Sequence, residues 1–394
     1  HIGNARPFVL GMWLRNWLRH RGYDATLVHN ITDVNDKIYD AARAAGVPSE
    51  ELAREMTARY EHDTDGLGLG RPDAEPLATE TVPQIVALIE ELVGRGLAYE
   101  AGGDVYFRVV SYPRYGELSG RVDGEGTRNP SEEAEEGEVK EDPRDFALWK
   151  AHKEGEDTSW DSPWGRGRPG WHIECSAMAE DLLGPVFEIH GGGLDLIFPH
   201  HENELAQSRA LGHEFAQIWM HNGMLRFTGE KMSKSLGNVV TIREALDEWG
   251  RETVLLFFMT AHWSKPIDFS DETMAQAKAQ VETLRNKLRL PSQPGGDWVE
   301  LAAALDDDFN TPDALAVLHR WRDRELLVRG LDLFGLGSLA EAAEAPPEVE
   351  ELARQRQAAR AAGDYAESDR LRAEVEALGW EVRDGAAGFE LVPR

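Results

Sequence analysis

Two short segments carry residue types suited to handling a nucleoside triphosphate. The chain opens with His1-Ile2-Gly3-Asn4 directly before a segment of helical periodicity, and Lys231-Met232-Ser233-Lys234-Ser235 follows about 230 residues later. A glycine at a helix start lets the backbone approach a ligand, the free amides of the first turn face anions, and a histidine can donate to a phosphate. His1 and Gly3 are therefore candidate ATP-binding residues, with His1 and Asn4 as candidate catalytic groups. Two lysines in a serine-containing loop can neutralise the charge that builds on a departing pyrophosphate. That makes Lys231 and Lys234 catalytic candidates, and Lys234 an ATP-binding one as well. Singly, the first segment reads as a surface turn and the second as an exposed basic loop. Together and in this order, coincidence accounts for them poorly.

A second constellation lies between them. His200 and Glu204 are four residues apart and share a helix face, and Cys175 offers a soft thiolate from another segment. Cysteine, histidine and glutamate are all competent zinc ligands. Three ligands leave a tetrahedral site incomplete, however, and a lone buried cysteine usually belongs to a core. Spacing alone leaves the structural reading slightly ahead.

The elements that must position these groups follow from periodicity. Phe8, Met12, Trp13 and Trp17 mark a helix over Pro7–Arg21, which Gly22 stops. A strand is expected over Ala25–His29, helices near 49–60 and 82–95, and a strand over Asp104–Val110. Residues 111–170 are rich in glycine, proline and charge and read as an insertion rather than core, with a solvated acidic run at Ser131–Asp142. Val186–His190 reads as a strand running into Gly191–Gly193, with a helix starting near Pro199. Met224–Phe227 is a strand before a Thr228-Gly229 turn, and Thr241 to Glu244 has capping-box spacing. Beyond about residue 270 the pattern is helical, with Thr311-Pro312 as an N-cap and N1 pair and a linker at 345–347. Leu371, Val375 and Leu378 mark a last helix.

A chain of 394 residues with 41% hydrophobic content is expected to form two to four domains. No apolar run is long enough to span a bilayer, so no membrane association is expected. One cysteine excludes an internal disulfide, and a cytoplasmic location is the default. A net charge of −29 argues against a broadly basic nucleic-acid surface, although phosphate binding is a local matter.

Longer segments point to a family. HIGNAR (1–6), Asn30–Ile38, Arg71–Pro76, Asp145–Lys150, Gly167–Met178, His190–Ser208 and Lys231–Asn238 together resemble the cysteinyl-tRNA synthetases, of the class I aminoacyl-tRNA synthetases. The resemblance implies an α/β fold: a Rossmann-type parallel-sheet catalytic domain with an inserted connective region, followed by α-helical C-terminal domains. It places the first catalytic half at 1–90, the insertion at 91–170 and the second half with the metal site at 171–225. The Lys-Met-Ser-Lys-Ser loop and stem-contact region follow at 226–285, a helical bundle at 286–345 and an anticodon-binding domain at 346–394.

The same resemblance implies ATP-dependent formation of cysteinyl-adenylate and transfer of cysteine to the 3′-terminal adenosine of tRNA-Cys, with Mg2+ accompanying ATP. One Zn2+ per subunit would be held by Cys175, His200 and Glu204 with a further cysteine, and would select the substrate thiolate. Thr32, Trp171, His190 and Asp195 would bind the amino acid, and Arg360, Tyr365, Asp369 and Asp384 the anticodon. The family's further cysteine lies upstream of the first motif, as does the first strand, so the chain reads as a fragment lacking both. Asn4 departs from the family's histidine; it still hydrogen-bonds but carries no charge, and activity is expected to survive. A monomer is expected. One rival is the related cysteine ligase of mycothiol synthesis, which uses an amino-sugar acceptor; the tail from Pro346 and the Glu202-Asn203-Glu204 pattern argue against it. A non-catalytic RNA-binding relative is disfavoured because both signature motifs remain.

Overall fold

A computed structural model describes residues 1–121, 140–227, 230–231, 240–341, 345–385 and 388–393. Most of the acidic run, the Thr228-Gly229 turn and Lys234 lie outside the described residues. The chain divides into two compact units, His1–Leu336 and Gly337–Arg394. Among the described residues no helix is long and apolar enough to cross a membrane.

The first helix of the larger unit runs Ile2–His20, starting five residues before the position that periodicity indicates, with Pro7 inside it. Proline there forfeits the bond to the carbonyl four residues back. Burial of Ile2, Ala5, Phe8, Val9, Met12, Trp13 and Trp17 along one face outweighs that loss. The strand expected over Ala25–His29 is reduced to isolated parallel bridges, Val28 to Ala74 and Ile31 to Leu77. Its neighbour carries Pro72 and Pro76, which lack the N–H that a continuous ladder needs.

The sheet at the site is parallel. Val186–Gly193 pairs with Phe215–Asn222, and helix Glu202–Ala210 lies in the crossover between them. Leu225–Phe227 then pairs in parallel with Ile267–Phe269 and antiparallel with Glu230–Lys231. The helix expected from Pro199 is preceded by a π-turn over Ile197–His201, with an extended Phe198 and a cis bond to Pro199. The residue before a proline is biased away from helical geometry, which accounts for the break. Thr241 and Glu244 form the expected capping box. Asn310, rather than Thr311, caps helix Thr311–Arg320, because its side chain reaches the Asp313 amide.

Residues 111–170 hold more core than their composition suggests. Phe146–Ala151 and Gly167–Pro169 complete a four-stranded antiparallel sheet with Ala98–Ala101 and Asp104–Phe107. Phe146, Leu148 and Trp149 are fully buried against Ile85 and Ile89 of helix Val82–Gly94 and Ile173 of helix Trp171–Leu183. A short apolar run is lost when a long polar window is averaged. This core seats the helix that carries Cys175. The seam is tight at Gly170, where a Cβ would lie 2.1 Å from the Ala147 carbonyl oxygen.

In the smaller unit, helices Pro347–Ala361 and Tyr365–Ala377 pack with a hairpin of Trp380–Gly385 and Gly388–Pro393. Val349, Ala353, Val375 and Val382 form its core.

Candidate active site

Three separate elements deliver one buried cluster. Helix Trp171–Leu183 supplies Cys175, the π-turn supplies His200, and the first turn of helix Glu202–Ala210 supplies Glu204. One ligand atom from each lies within 4.8 Å of the others, and all three residues are buried. His200 Nε2 is 3.2 Å from Glu204 Oε1, while its Nδ1 is 2.9 Å from His172 Nδ1. The partner on Nδ1 fixes the ring so that Nε2 faces the cluster. Trp171 stacks on His200 with centroids 4.4 Å apart. His190, on the parallel strand, approaches Glu204 Oε2 at 3.2 Å.

Burial shapes the electrostatics. The Cys175 thiol is pushed well above its ordinary pKa by desolvation and by the Glu204 and Glu174 carboxylates. His200 and His172 are each lowered to about 3, chiefly by burial. The imidazoles therefore stay neutral with a lone pair to offer, and the thiol stays protonated until a cation compensates its charge. Glu204 Oε2 is buried without a hydrogen bond, since His190 Nε2, although 3.2 Å away, bonds Oε1 instead at 3.4 Å, and this is costly for an acceptor lacking a cation. Sulfur, imidazole nitrogen and carboxylate oxygen converging around an orphaned oxygen fit a zinc ion. His190, His201 and Glu204 form a second converging group through the same carboxylate. His201 Nδ1, however, is 2.8 Å from His221 Nε2, and its Nε2 stands 4.0 Å from Glu204.

The remaining candidates distribute around this cluster. Asn30 donates its side-chain amide to Cys175 Sγ at 3.4 Å; Thr32, two residues on, makes no hydrogen bond with the cluster among the described residues. Asp195 lies in the short turn Leu194–Leu196 and folds back over Gly193, where a Cβ would meet its Oδ1 at 2.5 Å. His1 and Asn4 are exposed at the start of the first helix. A Cβ on Gly3 would lie 2.9 Å from the His1 ring. The backbone of Lys231 pairs with Arg226. Asn30, His172, His201, Trp219 and His221 also surround the cluster, and no ligand spacing in the sequence marks them. Trp219 and His221 alternate on one face of their strand, a period-two signal that could have been found.

In the smaller unit, Tyr365 is 68% exposed and Asp369 is exposed. Arg360 and Asp384 pair with each other, and Arg356, its side chain only 5% exposed, forks onto Asp384 at 2.8 and 2.9 Å. The hydrogen bonds from Arg356, with Arg360 adding to them, hold the Asp384 carboxyl at about 2. A depressed carboxyl stabilises the fold above its unfolded pKa and loses that contribution as pH falls through its folded value. The Asp384 contribution should therefore fade between about pH 4 and pH 2. Solvent screening at this partly exposed carboxylate keeps it to about 1 kcal/mol. Hydrogen exchange in the hairpin should show Asp384→Asn weakened at neutral pH and matching the wild type at pH 2. Equal protection at pH 7 would refute the bridge's role.

The chain matches known families along most of its length. Residues 1–279 match the tRNA synthetases class I (C) catalytic domain, 300–322 the DALR domain, and 342–389 the cysteinyl-tRNA ligase anticodon binding domain. The chain is 44% identical to a cysteine–tRNA ligase of Chromobacterium violaceum, over 98% of this chain and 91% of that protein. It is 46% identical to one of Halorhodospira halophila, over 98% and 91%. Among solved structures, a Mycobacterium tuberculosis methionyl-tRNA synthetase bound by methionyl-adenylate matches with a TM-score of 0.61 at 15% identity, covering 88% of this chain and 92% of that one. At that identity the likeness speaks for the fold alone.

Proposed function

The chain belongs to the cysteine–tRNA ligase family of class I tRNA synthetases, and from that premise we propose that Cys175, His200 and Glu204 hold a zinc ion that selects the substrate's thiolate. The chain is an ATP-dependent ligase that joins cysteine to tRNA, and Mg2+ accompanies the nucleotide. The observation that carries the zinc proposal is the buried convergence of thiol, imidazole and carboxylate, with one carboxylate oxygen left without a hydrogen bond. Zinc supplies a soft Lewis acid that prefers a thiolate to a hydroxyl. Of the two converging groups, the one containing Cys175 is preferred, because a thiolate donor suits zinc and His201 is engaged with His221.

The protein's own groups do the rest. Trp171 braces the His200 ring, and His190, Thr32 and Asp195 bind the amino acid's backbone groups. His1, Gly3 and Asn4 receive the triphosphate at a helix start, where free amides face the anion. Lys231 and Lys234 neutralise the departing pyrophosphate. Catalysis is mainly placement of the carboxylate in line with the α-phosphate and screening of developing charge. The cysteinyl group then passes to the terminal ribose of tRNA-Cys. Tyr365 offers an exposed ring for stacking on a splayed base and Asp369 an exposed carboxylate one helical turn on, while Arg360 and Asp384, already paired with each other, are the further polar readers.

The test is pyrophosphate exchange with cysteine, followed by transfer to tRNA or to glucosaminyl-inositol. Exchange dependent on cysteine and transfer to tRNA alone is the expected result. Transfer only to the amino sugar would overturn the assignment. The match of the C-terminal unit to an anticodon-binding domain supports the tRNA acceptor.

A further inference from the structure

We infer that Arg6 is a positioning residue for adenylate formation: it pins the backbone junction at Asn222–Met224, where the amino-acid and nucleotide halves of the site meet, onto the helix that begins at Ile2. The inference rests on the ATP-dependent activation of cysteine described above.

Arg6 is 1% exposed. Its Nη1 donates to the Gly223 carbonyl at 2.5 Å and its Nη2 to the His262 carbonyl at 3.1 Å. It makes no ion pair among the described residues, and its Nε is buried without a partner. Burial lowers its pKa only to about 10, so it stays charged at neutral pH. Burying a guanidinium without a carboxylate is costly, and an apolar side chain would fill the same space without that cost. Packing alone therefore does not explain an arginine here. A planar fork that satisfies two carbonyls on separate segments does.

Those segments converge on the chemistry. The Gly223 amide donates to the Trp263 carbonyl at 2.9 Å, and a Cβ on Gly223 would lie 2.2 Å from the Lys265 carbonyl carbon and oxygen. Gly223 is thus held by Arg6 on its carbonyl, by Trp263 on its amide and by Lys265 against its Cα. On its N-terminal side, strand Phe215–Asn222 pairs with the strand carrying His190, in the register His190 to Trp219. On its C-terminal side, Leu225–Phe227 pairs with the strand carrying Lys231. The first motif packs beside the junction, where a Cβ on Gly3 would lie 3.8 Å from Leu225 Cβ, and it is held separately by the Ile2 amide, which donates to the Val240 carbonyl at 2.8 Å. Arg6 therefore fixes the distance between the group that binds the amino acid and the groups that bind the triphosphate.

In-line displacement depends steeply on that distance, and a misplacement of about 1 Å can cost about 100-fold. Pyrophosphate exchange should be measured on the full chain for the wild type, Arg6→Lys and Arg6→Met, with zinc content and thermal melting followed in parallel. Arg6→Met is expected to lower kcat about 100-fold and Arg6→Lys about 10-fold, with KM for cysteine held within about 2-fold and zinc content unchanged. A kcat for Arg6→Met within about 3-fold of the wild type would overturn the inference. So would a rise in KM for cysteine in step with the loss of kcat, which would mark a general scaffold role. If Arg6→Met does not fold, Arg6→Lys decides: a folded Arg6→Lys with wild-type kcat overturns the inference. A wild-type chain without cysteine-dependent exchange would overturn the functional reading and this inference together, whereas undiminished exchange in the variants overturns the inference alone.

Discussion

Cys175→Ser should yield a folded chain that retains no zinc and activates no cysteine. Serine matches cysteine closely in size, and the Asn30 amide that donates to Sγ can donate to a hydroxyl in the same place. The surrounding core, Val34, Tyr39, Ala78 and Met178, needs no rearrangement. What changes is the donor. A hydroxyl is a far poorer zinc ligand than a thiolate, and Glu204 and His200 alone do not retain the ion. Zinc content should fall from about one per chain to below about 0.1. Cysteine-dependent pyrophosphate exchange should fall by about 1,000-fold or more in kcat/KM, because the substrate thiolate then lacks the cation that would bind it. Metal analysis and exchange on the same preparation decide it. Stoichiometric zinc in Cys175→Ser, or exchange within about 10-fold of the wild type, would remove Cys175 from the ligand set.

Discrimination between cysteine and serine should reach about 10,000-fold in kcat/KM for exchange, without a separate hydrolytic site. The two amino acids differ by one atom, and an apolar pocket separates such a pair by only about 100-fold. A coordinate contact changes the scale, since cysteine can present a thiolate while serine keeps its hydroxyl protonated and binds the ion weakly. His172, His200 and His201 are all buried and held neutral, so none of these imidazoles supplies a positive charge that would reward an alkoxide. A measured ratio below about 100 would show that steric fit, rather than metal coordination, selects the substrate.

The sequence by itself determined the chemistry available. His1-Ile2-Gly3-Asn4 and Lys231–Ser235 name a triphosphate, and the spacing of His200 and Glu204 brings two donors within reach of each other, although the expected shared helix face is a π-turn running into a helix. Local patterns also announced the strand at Val186 and the capping box at Thr241, because periodicity and capping are decided within a few residues. Spacing could not decide whether Cys175 was a ligand or ordinary core. Its distance to His200 and Glu204 depends on how helix Trp171–Leu183 sits on the four-stranded sheet, and composition had concealed that sheet. The π-turn that brings His200 and His201 inward, and the pairing that sets His190 opposite Trp219, are likewise long-range outcomes. Arg6 shows the limit most plainly. A charged residue one turn into an amphipathic helix reads as surface, yet its partners lie 217 and 256 residues away, and only tertiary packing could bury it. Residue types state which bonds can form; the fold decides which groups lose their water and must form them.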